Sequence, residues 1–207
     1  MDLAMPLAVV TPTLDAAVLH ALAATTARAS GAQVHQMAGT GSPDGVRRVL
    51  ARLVGQRIVL ADEHPNATLH LLNRDHVAAD AIVALTRRRT TIIDRITEAL
   101  STWSPEPMHA SLFGSFARGE ATTISDIDIL VVISPAGAAD QDARATQIDQ
   151  LAADILRWTG NHGHIVDSTS DILAAMTAAD DPLAASWRTD HIHLKGTRLL
   201  DLLRSVS

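Results

Sequence analysis

The sequence predicts an α+β protein built from two modules, and three observations lead there. Charge is split: residues 1–100 carry ten basic and nine acidic side chains, whereas residues 101–207 carry seven and fourteen, so a net +1 precedes a net −7. In Trp103-Ser104-Pro105-Glu106-Pro107 two prolines separated by one residue stop a helix and favour an extended connection. The apolar pattern also changes there, from helix-spaced positions and a small hairpin to β-branched runs such as Ile127 to Ile133. The chain therefore divides into residues 1–74, a helical connector 75–104 and a second module 105–207.

Composition narrows the class. With 207 residues, 47% of them hydrophobic, the chain can bury a packed core. It reads as soluble: the N-terminus lacks a basic stretch followed by an apolar one, and no run approaches the length of a membrane span. The absence of cysteine excludes disulfides and thiolate metal sites, which makes the cytoplasm the expected compartment. Sixteen arginines against one lysine, Lys195, speak of a GC-rich coding genome more than of a function.

In the first module, Leu14 to Ala24 and Gly31 to Ala38 are helical candidates, followed by a Gly39-Thr40-Gly41 turn. Ser42-Pro43 then offers an N-cap with proline at the first helical position. Val46, Val49, Leu50, Leu53 and Val54 fall at i, i+3, i+4, i+7 and i+8, one buried stripe that leaves Arg47, Arg48 and Arg52 mostly outside it. Ile58 to Leu60 and Thr68 to Leu72 read as two strands around Asp62 to Asn66. The connector from Asp75 to Leu100 is predominantly helical, and its Arg87-Arg88-Arg89 run reads as a solvated face.

Chemistry concentrates in the second module. His109 to Phe113 has strand character, Gly114-Ser115 ends it, and a helix can begin at Phe116-Ala117-Arg118. Glycine lets backbone approach phosphate oxygens closely, the serine adds a hydroxyl, and free N–H groups at a helix start favour an anion. Ten residues later Asp126 and Asp128 head an apolar strand. Side chains alternate along a strand, so both carboxylates share a face, with β-carbons roughly 6.6 Å apart. Such a pair is a plausible half of a Mg²⁺ site, since that ion usually takes one or two carboxylates together with water and substrate phosphate. Alone, an Asp-x-Asp is usually a solvated strand end, but Gly-Ser followed at one fixed offset by Asp-x-Asp should arise by chance in roughly a few chains per thousand.

A helical stretch from about Asp140 to Thr159 leads through a turn at Asn161 and Gly163 to a strand, His164 to Ser168. His162, His164 and Asp167 do not make a convincing zinc set, and the histidines read as a satisfied or solvent-facing pair. His191 and His193 read the same way, in a tail that is mostly helical, with starts at Ser170-Asp171 and Asp181-Pro182 and with Leu183 to Leu203 packing on the sheet.

Residues 112–133 resemble the signature of the polymerase-β-like nucleotidyltransferase superfamily, in particular its minimal nucleotidyltransferase branch. The resemblance implies a mixed sheet with flanking helices, a triphosphate held at Gly114 and Ser115, and Mg²⁺ or Mn²⁺ bound by Asp126 and Asp128. It also implies a third carboxylate on a later strand, for which Asp167 is the candidate. Arg118 matches the Arg-Gly pair that follows the turn, as a structural ion pair or a phosphate contact. The implied reaction moves a nucleoside monophosphate from an NTP, ATP by expectation, to an acceptor hydroxyl and releases pyrophosphate. Without cysteine, and with no base beside Ser115 in sequence, nothing suggests a covalent intermediate.

The first module resembles the winged helix-turn-helix domains that precede nucleotidyltransferase domains in some bacterial proteins, on the pattern from Val46 to Val59 and on Leu72-Asn73-Arg74-Asp75-His76. Its third helix would then enter the DNA major groove with Arg47, Arg48 and Arg52. Asp62, Glu63 and the small net charge oppose that, and the alternative is a solvated arginine face on a module for dimerisation or partner docking. Two functions follow. One is an active metal-dependent enzyme whose N-terminal module recruits DNA or a partner; the resemblance leaves its acceptor open among protein hydroxyls, tRNA ends and aminoglycosides, and the leading expectation is a protein, such as a partner in a toxin–antitoxin arrangement. The other is a DNA-binding regulator or antitoxin-like interaction protein with a catalytically silent transferase domain.

Overall fold

The structure is a computed structural model that describes residues 1–135, 141–179 and 181–205. The chain forms two compact units, one of Asp2 and residues 4–89, the other of Met1, Leu3 and residues from 90 onward.

In the N-terminal unit, a 3₁₀ turn at Pro6–Val9 precedes α1 (Leu14–Ala23), β1 (Ala29–Ser30), α2 (Gly31–Ala38), α3 (Pro43–Gly55), β2 (Val59–His64), β3 (Ala67–Leu72) and α4 (Ala79–Thr86). Ser30 opens α2 with a capping box: its hydroxyl accepts from the Gln33 N–H at 3.3 Å, and the Gln33 side chain accepts from the Ser30 N–H at 2.8 Å. Ser42 caps α3 by accepting from the Gly45 N–H at 3.1 Å, with Pro43 at the first helical position. Val46, Leu50 and Leu53 of α3 are buried and join Val18, Leu22, Val34, Val59 and Leu72 in one core. The hairpin pairs Val59 with Leu72 through to His64 with Ala67, and the two-residue β1, which the sequence pattern is too short to reveal, pairs with β3 to give the order β1-β3-β2.

α5 (Arg88–Ser101) leads into the second unit, and Ile92, Ile96 and Leu100 sit in that unit's core together with Trp103, which is 8% exposed. The proline segment 105–107 thus lies inside the second unit, beyond the division between Arg89 and Thr90. The order continues as β4 (His109–Phe113), α6 (Gly114–Arg118), β5 (Ile127–Ile133), α7 (Gln141–Thr159), β6 (Gly163–Thr169), α8 (Ser170–Ala178), α9 (Pro182–Thr189), β7 (Ile192–Gly196) and α10 (Leu199–Ser205). The start expected for α7 at Asp140 lies outside the described residues.

The four strands form a mixed sheet in the order β6-β5-β4-β7, with β5 and β6 parallel and the other two pairings antiparallel. Alternation along β5 serves two cores. Ile127, Ile129, Val131 and Ile133 face a layer containing Ile96, Leu151 and Ile155 from α5 and α7. Leu130 and Val132 face Leu173, Trp187 and Leu202 from α8, α9 and α10.

One expectation is corrected here. The stretch from Leu183 to Leu203 is not continuously helical, because Ile192 to Gly196 forms β7 and pairs along β4. Ile192 and Leu194, two apart, are the partly buried positions that pack against the sheet's core, so a period of two operates locally inside a longer helix-like pattern.

Candidate active site

The antiparallel register of β4 and β5 sets Phe113 opposite Asp128, and the next residue, Gly114, turns the chain with φ of +68°. A β-carbon placed on Gly114 would stand 2.5 Å from Asp128 Oδ2. The carboxylate therefore occupies the space that any side chain at 114 would fill, and the left-handed φ independently favours glycine. Ser115, half-buried, follows directly, and the turn closes with a hydrogen bond from the Glu120 N–H to the Ser115 carbonyl at 2.9 Å. Gly114 and Asp128 are thus in close approach, with Ser115 next in the chain.

Asp126 is exposed and precedes β5 by one residue. Its position is set from below: Asn161, 2% exposed, donates its amide to the carbonyls of Thr122 and Ser125, each at 2.9 Å. The Thr122 N–H donates to the Ser125 hydroxyl at 3.0 Å, and the Ile127 N–H to the His162 carbonyl at 2.8 Å. In the sequence Asn161 reads only as a turn marker. Its role at the site has no signature in the local pattern, since its partners lie 36 and 39 residues away.

Asp167 is not brought to Gly114 and Asp128. Parallel pairing sets His164 level with Asp128 and Asp167 level with Val131, three positions on, which is an odd step and so the opposite face of the sheet. There Asp167 meets Arg144 of α7 at 2.6 Å, with side chains 24% and 18% exposed. The group that meets Asp128 is His164, whose Nδ1 lies 3.1 Å from Asp128 Oδ1. His162 is exposed at the start of the same segment.

Arg118 is 42% exposed and engages Glu120 at 2.8 Å and Asp190 at 3.5 Å, the ion-pair arrangement rather than a free guanidinium. At the far end of β4, His109 is fully buried, with Nδ1–H donating to the Thr197 carbonyl at 2.8 Å and Nε2 accepting from Ser111 at 2.9 Å. Burial pushes its pKa down to about 4, against the opposing effect of the Thr197 hydrogen bond. It is a neutral core histidine.

Among the described residues no three His, Asp or Glu side chains stand preassembled around one point. The donor set still suits a divalent cation of the Mg²⁺ class, which is commonly held by one or two carboxylates and completed by substrate phosphate. Asp126 and Asp128 would hold it, and the space over Gly114 keeps the second of them at the Gly114 turn.

Of the three N-terminal arginines, Arg47 pairs with Asp44 and Arg52 with Asp15, while Arg48 is exposed with no ion pair among the described residues. Asp62, read as repelling phosphate, is neutralised by Arg28. A cleft of about 700 Å³ lies between α3 and the hairpin, lined by Arg47, Leu50, Val54, Thr68 and His70. No described helix is long and apolar enough to cross a membrane.

Residues 93–166 match the family model described as a nucleotidyltransferase domain, and that segment holds Gly114, Ser115, Asp126 and Asp128. No curated protein matches. Among solved structures, the chain is similar to a toxin-antitoxin crystallised with AMP-PNP, at 24% identity over 55% of this chain and 82% of that one, with a TM-score of 0.41. Two variants of the toxin-antitoxin MntA-HpeT also match over 55% of this chain. One is 20% identical over 82% of its own length with a TM-score of 0.39, the other 26% over 80% with 0.37.

Proposed function

We propose that the second unit transfers a nucleoside monophosphate from ATP to an acceptor hydroxyl, with Mg²⁺ or Mn²⁺ held by Asp126 and Asp128. The observation that carries this reading is the seating of the Asp128 carboxylate over Gly114, which couples the phosphate turn to the acidic strand. Gly114 and Ser115 receive the triphosphate, and Arg118, tied to Glu120 and Asp190, braces the turn from behind. The acceptor oxygen attacks the α-phosphorus, the bond to the β-phosphate oxygen breaks, pyrophosphate leaves, and the acceptor's proton passes to solvent. When bound, the cation offsets the charge that develops on the phosphates and the leaving group. Asp167, held by Arg144 on the other face of the sheet, is given a structural role in this scheme.

The acceptor side is open, since Asp126 and His164 are both exposed, and an open site suits a hydroxyl on a protein, including a toxin-like partner. The N-terminal unit is read as a winged helix-turn-helix on its element order and three-stranded sheet. Arg48 is the cation best placed for DNA, because Arg47 and Arg52 are already paired. A silent transferase domain has no need of a carboxylate kept over a glycine, which favours the enzyme over the regulator.

The test is Mg²⁺-dependent pyrophosphate release from ATP, comparing the full chain with Asp126→Ala plus Asp128→Ala. Release should vanish in the double variant, and equal release would overturn the assignment. Mass spectrometry of proteins labelled with each of the four nucleotides then identifies donor and acceptor.

A further inference from the structure

Beside the candidate cation site stands the imidazole of His164, which the sequence offers only as part of an unconvincing zinc set. This inference rests on the reading of Asp126 and Asp128 as cation ligands. The parallel register of β5 and β6 puts His164 beside Asp128, Nδ1 to Oδ1 at 3.1 Å. Two donors bound to one octahedral cation at right angles, each at about 2.1 Å, stand about 3 Å apart. Asp128 and His164 already have that spacing, held by a hydrogen bond that Nδ1–H donates to Oδ1; the tautomer with its proton on Nε2 frees the Nδ1 lone pair for the cation. The other acid of β6, Asp167, is committed to Arg144 at 2.6 Å on the opposite face. The imidazole is 63% exposed at its side chain, while its backbone is fixed in the strand, so it can rotate toward a cation without disturbing the sheet.

We propose that His164 is a direct nitrogen ligand of the divalent cation, joining Asp128 beside it and Asp126 from the strand's approach, with substrate phosphate oxygens filling the remaining positions. Two carboxylates and an imidazole carry one negative charge fewer than three carboxylates would, and they mix nitrogen with oxygen. Imidazole suits first-row transition ions better than Mg²⁺, whereas an all-oxygen set suits Mg²⁺ and Mn²⁺ alike. The site should therefore prefer Mn²⁺ over Mg²⁺ more strongly than an all-carboxylate site does, at the cost of weaker Coulomb attraction for either ion. A histidine that only hydrogen-bonds the outer edge of Asp128 would leave the cation with an all-oxygen shell.

Electron paramagnetic resonance of Mn²⁺ bound to the full chain, in the presence of ATP, separates these cases. The wild type should show one Mn²⁺ whose pulsed spectrum carries a ¹⁴N coupling, shifting to the ¹⁵N pattern when the protein's histidine is ¹⁵N-labelled. His164→Ala should lose that coupling and weaken Mn²⁺ binding. His164→Asp should recover binding without nitrogen and reduce the preference for Mn²⁺ over Mg²⁺. His162→Ala should keep the coupling. Circular dichroism of each variant confirms the fold, which an exposed side chain should not disturb. Mn²⁺ that depends on Asp128 yet shows no protein nitrogen, or a coupling that survives His164→Ala, overturns the proposal alone. Mn²⁺ bound equally well by Asp128→Asn overturns the cation reading of the acidic pair, and this proposal with it.

Discussion

The two faces of the sheet at β6 treat an acid in opposite ways. On one face, Asp128 lies over a glycine and beside an exposed histidine. On the other, Asp167 lies under α7 and is matched by a guanidinium. Both carboxylates are about a quarter exposed, at 23% and 24%, so burial alone does not distinguish them. What differs is the neighbour. A carboxylate with a permanent cationic partner is satisfied and has little left for a ligand, whereas one facing an exposed imidazole and a glycine keeps its charge available.

Breaking the open face should give the largest effect. Asp128→Asn is expected to lower pyrophosphate release from ATP by roughly 10³-fold, about 4 kcal/mol of barrier, with the thermal midpoint nearly unchanged. A loss of only a few fold would remove Asp128 from the site.

Acidification probes the same face at its buried end. The folded pKa of His109, about 4, lies below its unfolded value of 6.5, so the unfolded chain takes up the proton first and stability falls as pH drops from about 6.5 to 4. The shift of about 2.5 corresponds to about 3 kcal/mol lost over that window. His20, His70 and His193 are also lowered by burial and act in the same direction. Urea denaturation at pH 7 and pH 4.5 measures this, and His109→Gln should flatten the difference in part.

Gly114→Ala sharpens the comparison, since it pushes a methyl group into the Asp128 carboxylate at a φ of +68°. Displacing a reacting group by about 1 Å can cost on the order of 10²-fold in rate. The check is kcat at saturating ATP, with a strain cost of roughly 1–2 kcal/mol in urea titration.

The smallest functional effect belongs to the closed face. Asp167→Asn should leave pyrophosphate release within about threefold while costing about 1–3 kcal/mol of stability, because the partly buried Arg144 loses its partner. A collapse of activity at full stability would return Asp167 to the chemistry and erase the contrast drawn between the faces.

Local pattern carried much of this architecture. The α3 stripe, the Ser42-Pro43 start, the β4 and β5 strands and the Gly114 turn lie where spacing predicts them, because each is decided within a dozen residues. The residue that β6 offers to Asp128 was not legible. Asp167 and His164 differ by three positions, and which of them reaches the site depends on where the turn after α7 releases the chain, a long-range matter of register. The β7 strand was missed for a related reason: five residues that stay extended only because β4 is there to pair with them look helical when read alone.

The clasp made by Asn161 has a chemical consequence of its own. One side-chain amide donates to two main-chain carbonyls and fixes the loop that leads to Asp126. Hydrolytic deamidation of that single group would replace both donors with a carboxylate aimed at two carbonyl oxygens, turning attraction into repulsion. The carboxylate would keep the bond that the Met1 ammonium donates to Oδ1 at 2.6 Å, so the loss would fall on the loop that leads to Asp126.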